Sequence, residues 1–271
     1  MLICDTHTHY DEEAFDPDRE ALLGGELAAG GVEWVVNMGA SMEGAQASAE
    51  YARIYPIVYA GCGIHPDEVG VFEGKKTASG IRFSGGEDAM RHLKELCCGE
   101  KVVCVGEIGL DYHWMVEEKE VQKRWFREQL RLAYELKLPV NVHSRDAAQD
   151  TYDLIRETYE AGMATGGVIH CYSGSLELAW EYVKMGYHIG IGGVVTFKNA
   201  KVLKRVAAAL PLGTLVTETD CPYLAPEPNR GMRNDSRNIR YVIEQIAALR
   251  EMDPERCADV LRENAHAVYR I

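Results

Sequence analysis

His7, His9, His65, Glu107, His143, His170 and Asp220 are the residues of this chain whose types and spacing point to chemistry. Each stands at the end of a short apolar run. His7 and His9 follow residues 2–6, and His65 follows residues 57–64. Glu107 lies at the end of residues 102–108. His143 and His170 close residues 139–143 and 167–170, and Asp220 follows residues 215–219. Neutral imidazoles and carboxylates are the ligands of borderline divalent metals. In an extended chain the two side chains of His7-x-His9 lie on one side, so both reach one ion. One carboxylate can bridge two ions held ~3.5–4 Å apart. Glu107, on the fourth run, stands between the Asp220, His7 and His9 side and the His143 and His170 side, and is the natural bridge. A single strand-end histidine is more often a hydrogen-bonded structural residue, and one His-x-His is weak by itself. Seven such groups at six strand ends argue for a metal centre; only His92, His113, His188 and His266 of the nine histidines fall outside the set.

The elements that must position these groups are legible as an alternation. Strand-length apolar runs at residues 2–6, 32–37, 57–64, 102–108, 139–143, 167–170, 187–191 and 215–219 alternate with stretches of helical period. Val121, Trp125, Gln129, Leu130, Ala133 and Leu136 follow helical spacing closely, and Leu22, Leu23, Leu27 and Ala28 make a shorter stripe. Asp253-Pro254 reads as the N-cap and first residue of a last helix. Eight strands each followed by a helix predict an α/β fold, a single (β/α)8 TIM barrel over residues 1–271, whose strand C-termini open on one face. No Pro/Gly-rich interdomain linker interrupts it. The segment from Gly70 to Gly86 is the least periodic and reads as a long loop between the third strand and its helix.

Lys and Arg number 29 against 42 Asp and Glu, a formal charge of −13. That argues against binding nucleic acid through a broad basic surface, and leaves room for a local positive cleft around bound metals. The eight cysteines contain no Cys-x-x-Cys, so neither a zinc ribbon nor a thioredoxin-type site is indicated. With no signal peptide and no membrane-length apolar run, the expectation is a cytoplasmic protein. Gly190-Ile-Gly-Gly193 has the wrong spacing for a dinucleotide fingerprint; it is expected to let backbone approach the cleft. No phosphate-binding Gly-x-x-x-x-Gly-Lys and no Gly-x-Ser-x-Gly is present, so neither an NTPase nor a nucleophile-elbow hydrolase is indicated.

A set of motifs carries a family resemblance. Asp5-Thr-His-Thr-His9, Gly63-Ile-His-Pro66, Val105-Gly-Glu-Ile-Gly-Leu-Asp-Tyr112, Pro139-Val-Asn-Val-His-Ser-Arg-Asp146, His170-Cys-Tyr-Ser-Gly174 and Glu218-Thr-Asp-Cys-Pro-Tyr-Leu224 occur in this order. Together with residues 194–199 and 230–234, the series resembles the TatD family of metal-dependent deoxyribonucleases, in the amidohydrolase superfamily. The match spans essentially the whole chain and is specific as a set. It implies a TIM barrel, a two-metal site and hydrolysis of DNA phosphodiesters, often from the 3′ end, with single-stranded DNA or 3′ ends as the substrate. The segment from Gly70 to Gly86 is longer than the family usually shows. Glu107 occupies the place where other superfamily branches carry a carboxylated lysine.

On this reading His7, His9, Glu107 and Asp220 hold one divalent cation, and Glu107, His143 and His170 a second. Zinc, manganese, magnesium and iron all suit the set. Asp220 orients the attacking water or takes its proton. His65 contacts the scissile phosphate or protonates the leaving oxygen, or only holds a ligand in place. Glu218 and Asp5, each two residues before a ligand, orient ligands from behind. Arg145, Lys198, Arg230 and Arg233 are the candidate phosphate contacts. Tyr112 and Tyr223 are weaker candidates for stacking on bases. The alternative is a metallohydrolase acting on an ester, such as a D-aminoacyl-tRNA deacylase. No membrane and no obligate protein partner is indicated.

Overall fold

A computed structural model describes all of residues 1–271. Eight strands neighbour one another in chain order: β1 (Ile3–Thr8), β2 (Val32–Gly39), β3 (Val58–Cys62), β4 (Val102–Asp111), β5 (Val140–Arg145), β6 (Gly167–Ile169), β7 (Tyr187–Ile191) and β8 (Leu215–Thr217). They are parallel and alternate with helices, the (β/α)8 TIM barrel that the alternation predicts. The helices are α1 (Arg19–Ala21), α2 (Leu27–Ala29), α3 (Met42–Ile54), α4 (Gly86–Cys97), α5 (Lys119–Leu136), α6 (Ala148–Glu160), α7 (Leu176–Lys184), α8 (Lys201–Ala209), α9 (Ile239–Leu249) and α10 (Pro254–Tyr269). All six residues of β1 and all ten of β4 are buried, as strands covered on both faces must be. No helix is long and apolar enough to cross a membrane.

Two compact units can be distinguished, residues 1–37, 55–58 and 168–271, and residues 38–54 and 59–167. In the first, β1 pairs with β2 and β7 with β8. Beyond the end of β8 the chain meets β1 again: the Asp220 N–H donates to the His7 carbonyl at 3.0 Å and the His9 N–H to the Cys221 carbonyl at 2.9 Å. α9 buries Ile239, Val242, Ile243, Ile246 and Ala247, an apolar stripe at helical spacing. α10 starts as expected, with Asp253 accepting from the Arg256 N–H at 3.0 Å and Pro254 in the first turn. The stripe of Leu22, Leu23 and Leu27 is buried but Ala28 is not. The helix there breaks at Gly24-Gly25, where Gly25 leaves the helical region; glycine pairs are a usual place for such breaks.

In the second unit β4 lies between β3 and β5. α5 packs on β4 and buries Gln122 and Gln129 among its apolar residues. Gln129 clamps Ile64, accepting from its N–H at 2.8 Å and donating to its carbonyl at 3.0 Å. Gln122 clamps Asp111 in the same way at 2.9 and 2.9 Å. The two glutamines are seven residues apart, two helical turns on one face, so one helix fixes the segments that carry His65 and Asp111.

The segment from Gly70 to Gly86 is not a loop throughout. Val69–Glu73 forms a short 3₁₀ helix with Val69, Val71 and Phe72 buried, and α4 begins at Gly86. Several strands run past their expected ends: β1 through His7 to Thr8, β4 through Glu107 to Asp111, and β5 through His143 to Arg145. An apolar pattern stops where polar side chains begin, while backbone pairing continues beneath them.

Candidate metal centre

In the first unit three donor atoms converge. The Nε2 atoms of His7 and His9 are 3.0 Å apart. Asp220 Oδ1 lies 3.7 Å from the first and 3.4 Å from the second. Donors at ~2.1 Å from one tetrahedral cation stand about 3.4 Å apart, and the three distances bracket that value. His7 is fully buried and His9 nearly so. The backbone bonds between the β1 end and Asp220 hold the three together. Asp220 adopts a left-handed backbone, φ 58°, a strained state that clusters at functional sites. Burial would raise its carboxyl; the hydrogen bond from His9 and the charges of His170, His7 and His9 outweigh that and hold it below the ordinary value.

His170 joins the group by stacking its ring on His7 at 3.6 Å between centroids. One ligand atom from each of His7, His170 and Asp220 lies within 4.8 Å of the others. Behind His170 the fully buried Glu218 places Oε1 3.4 Å from Nδ1. The same oxygen accepts from the Cys171 N–H at 2.5 Å. Gly190 makes room for it, since a Cβ there would run into the Glu218 carboxylate. Asp5 plays a different part from Glu218. Its carboxylate accepts from the backbone N–H groups of His7 and Thr219 and from the Thr219 hydroxyl at 3.3, 3.0 and 2.6 Å. These bonds tie the β1 main chain to the segment after β8. Burial, opposed by these hydrogen bonds, pushes the Asp5 carboxyl up to about 7.

In the second unit His143 stands between two carboxylates. Nδ1 is 2.9 Å from Glu107 Oε1 and Nε2 is 3.1 Å from Asp111 Oδ2. A neutral imidazole has one N–H, so one of these contacts needs a second proton or a cation. His65 lies against His143, edge to face, at 4.4 Å. One donor each from His65, Glu107 and His143 lies within 4.8 Å of the others. His65 Nδ1 accepts from the Asp67 N–H at 3.2 Å, which places the proton of the neutral ring on Nε2. Asp111 is buried and also accepts from the His113 and Trp114 N–H groups at 2.8 and 3.0 Å. Burial would raise its carboxyl, but the His143 hydrogen bond and these two amides hold it well below the usual range. Asp111 is not among the residues that the sequence singles out. Its signal was present, since Glu107, Gly109 and Asp111 alternate on one face of a strand.

The candidate phosphate contacts separate. Arg145 and Lys198 are exposed and pair with no carboxylate. Arg230 lies over the Phe197 ring at 4.2 Å, next to Lys198, and only 4.0 Å from Glu227. Arg233 is taken up by Asp18, to which it donates at 2.7 and 2.5 Å, and by the Ala14 carbonyl at 2.8 Å. Of the two tyrosines, Tyr223 is exposed. Tyr112 donates to Asp150 at 2.7 Å and has Lys119 over its ring, so it is not open for stacking. Burial pushes the Cys62 thiol up to about 12 and raises Cys97, Cys104 and Cys221 as well. None of these is a thiolate nucleophile.

Each unit therefore holds a cluster of candidate ligands for a divalent cation. The profile of the family described as TatD related DNase matches residues 4–270. The chain belongs to this family. It is 40% identical over 270 residues to the uncharacterized metal-dependent hydrolase YabD of Bacillus subtilis, with 100% of both chains covered. It is 32% identical over 274 residues to the uncharacterized metal-dependent hydrolase YcfH of Escherichia coli, covering 100% of this chain and 97% of that one. Among solved structures, the TatD homologue YjjV of Escherichia coli superposes with a TM-score of 0.85 at 31% identity, over 99% of this chain and 98% of that one. This TatD-family chain is a metal-dependent hydrolase, with candidate ligand clusters at the ends of its strands.

Proposed function

We propose that this hydrolase cleaves phosphodiesters in DNA, acting on single strands or 3′ ends with two divalent cations. The observation that carries the reading is the His7, His9 and Asp220 triangle, whose spacing suits one cation. In the first unit these three would hold a cation with His170 beside them. In the second, Glu107 and His143 would hold another. The strands that carry them belong to one parallel set, and barrel enzymes build their sites at the C-terminal ends of such strands. When bound, the cations supply Lewis acidity, making a water nucleophilic near neutral pH and offsetting charge on phosphoryl oxygens. Asp220, held ionised, accepts the proton of the attacking water. His65 donates a hydrogen bond from Nε2–H to the leaving oxygen, and hands over a proton only from its imidazolium form. Lys198 and Arg230 engage backbone phosphates. The eight free thiols suit a reducing compartment such as the cytoplasm.

The test is digestion of short single-stranded DNA labelled at either end, with Mg, Mn and Zn in turn, beside Glu107→Ala. A ladder that needs metal, shortens from the 3′ end and disappears in the variant is the expected result. No cleavage by metal-loaded protein would turn the assignment toward an ester substrate, and misacylated tRNA would be assayed next.

A further inference from the structure

Trp114 is 63% exposed, the most open aromatic side chain in the chain. Exposing an indole forfeits burial worth ~1.5–3 kcal/mol for a large apolar side chain, so its position calls for a reason. The loop that presents it is held, not loose. Asp111 accepts from both the His113 and Trp114 N–H groups through Oδ1, while its Oδ2 reaches the His143 ring. Gln122 donates to the Glu117 carbonyl at 2.8 Å, and the Glu117 carboxylate takes Lys75 at 2.5 Å. His113 packs edge-on against the indole at 4.7 Å. The Arg145 guanidinium, two residues past His143, lies over the indole, 5.4 Å from its centroid; it makes no salt bridge, though its charge lowers the Asp67 carboxyl. A fixed indole that stays 63% exposed with a guanidinium over one side, itself in no salt bridge, is the combination that holds a base on the other side and its phosphate.

We propose that Trp114 and Arg145 form a nucleobase subsite: the indole stacks on one base of a single strand and Arg145 engages the adjoining phosphate. The proposal rests on the nuclease reading above for its substrate, and on this unit alone for its geometry. Asp111 is the link, one carboxylate that fixes both the indole's loop and the ring of a candidate ligand. Tyr112, which the sequence offers for stacking, is closed off by Asp150 and Lys119; the open ring lies two residues further on.

The experiment compares wild type, Trp114→Ala and Trp114→Phe on a short single-stranded oligonucleotide and on its copy with abasic 3′-terminal residues. Cleavage by the metal-loaded enzyme gives kcat and KM. Anisotropy of a labelled oligonucleotide without divalent cations gives binding free of turnover. The alanine variant should lose about 5–150-fold in KM and in binding for the base-bearing strand, the span that one base–aromatic stack is worth. Trp114→Phe should recover most of it, and the abasic strand should not distinguish the three proteins. Equal KM and equal binding of the base-bearing strand by all three would overturn the subsite while leaving the nuclease standing. Trp114-dependent, base-dependent binding with no cleavage by wild type would overturn the nuclease and keep the subsite. A wild-type dimer that the alanine variant abolishes, with no base dependence, would give this face to a second copy of the chain and end the proposal.

Discussion

At the scale of the residue, proton bookkeeping decides what His143 can do. Its two nitrogens face two carboxylates at 2.9 and 3.1 Å, yet a neutral ring offers one hydrogen. If Asp111 accepts a hydrogen bond from Nε2–H, the Nδ1 lone pair faces Glu107, and the two could share a cation. Asp111→Asn tests this. An asparagine oxygen can still accept from the His113 and Trp114 amides, so the loop should keep its place, but the amide nitrogen cannot accept the ring proton. Metal affinity should fall about 10–100-fold, as for other partners that orient a ligand ring, with activity largely restored at high metal concentration. Calorimetric titration of Mn or Zn into the metal-free protein measures it; unchanged affinity would remove Asp111 from the metal's support. The candidate ligands are legible in the sequence because a histidine or carboxylate closing an apolar run is conspicuous. Their supports are not. Asp111 lies inside a quoted motif but its partner is 32 residues on, and the Asp18 that occupies Arg233 is 215 residues from it. No local pattern records such pairs.

At the scale of the element, α5 shows how a helix delivers a site it does not enter. Gln122 and Gln129 each satisfy both backbone polar groups of one residue, Asp111 and Ile64. The 3.6-residue period placed Gln129 among the inward positions of the helix. The period alone does not tell why a polar side chain sits there, and the answer is an edge of backbone left without a strand partner. Gln129→Leu keeps the volume and leaves the Ile64 N–H and carbonyl without their clamp. Two buried groups at ~1–3 kcal/mol each predict a loss of about 2–6 kcal/mol, read by urea unfolding. His65, the next residue, should shift with Ile64, so kcat should fall in protein that is still folded. A variant with wild-type stability would show that water replaces the clamp. The alternation of eight strands and helices was legible because the runs are mostly buried on both faces. Strand ends, the 3₁₀ helix at Val69–Glu73 and the break at Gly24-Gly25 were not, since each depends on backbone hydrogen bonds that continue or stop independently of side-chain polarity.

At the scale of the whole molecule, the proposed nuclease function would require a chain of net charge −13 to bind a polyanion through few contacts. At physiological salt the Debye length is about 8 Å, so distant carboxylates are screened and only cations close to the strand count. Three of the four basic candidates are available. Arg145 and Lys198 are unpaired, and Arg230 lies over Phe197 at the edge of salt-bridge range from Glu227. Arg233 already holds Asp18 through two donors. Each phosphate neutralised on a single strand contributes about −0.7 to the slope of log K against log salt, so three contacts give a slope of about −2. Anisotropy titrations from low to high salt, without divalent cations, measure it. Lys198→Ala and Arg230→Ala should each flatten the slope by about 0.7. Arg233→Ala should leave it unchanged and lower stability instead, because it removes the Asp18 pair. A wild-type slope steeper than about −4 would mean that more cations meet the strand than these three. A slope that Arg233→Ala flattens would show that the strand draws Arg233 away from Asp18.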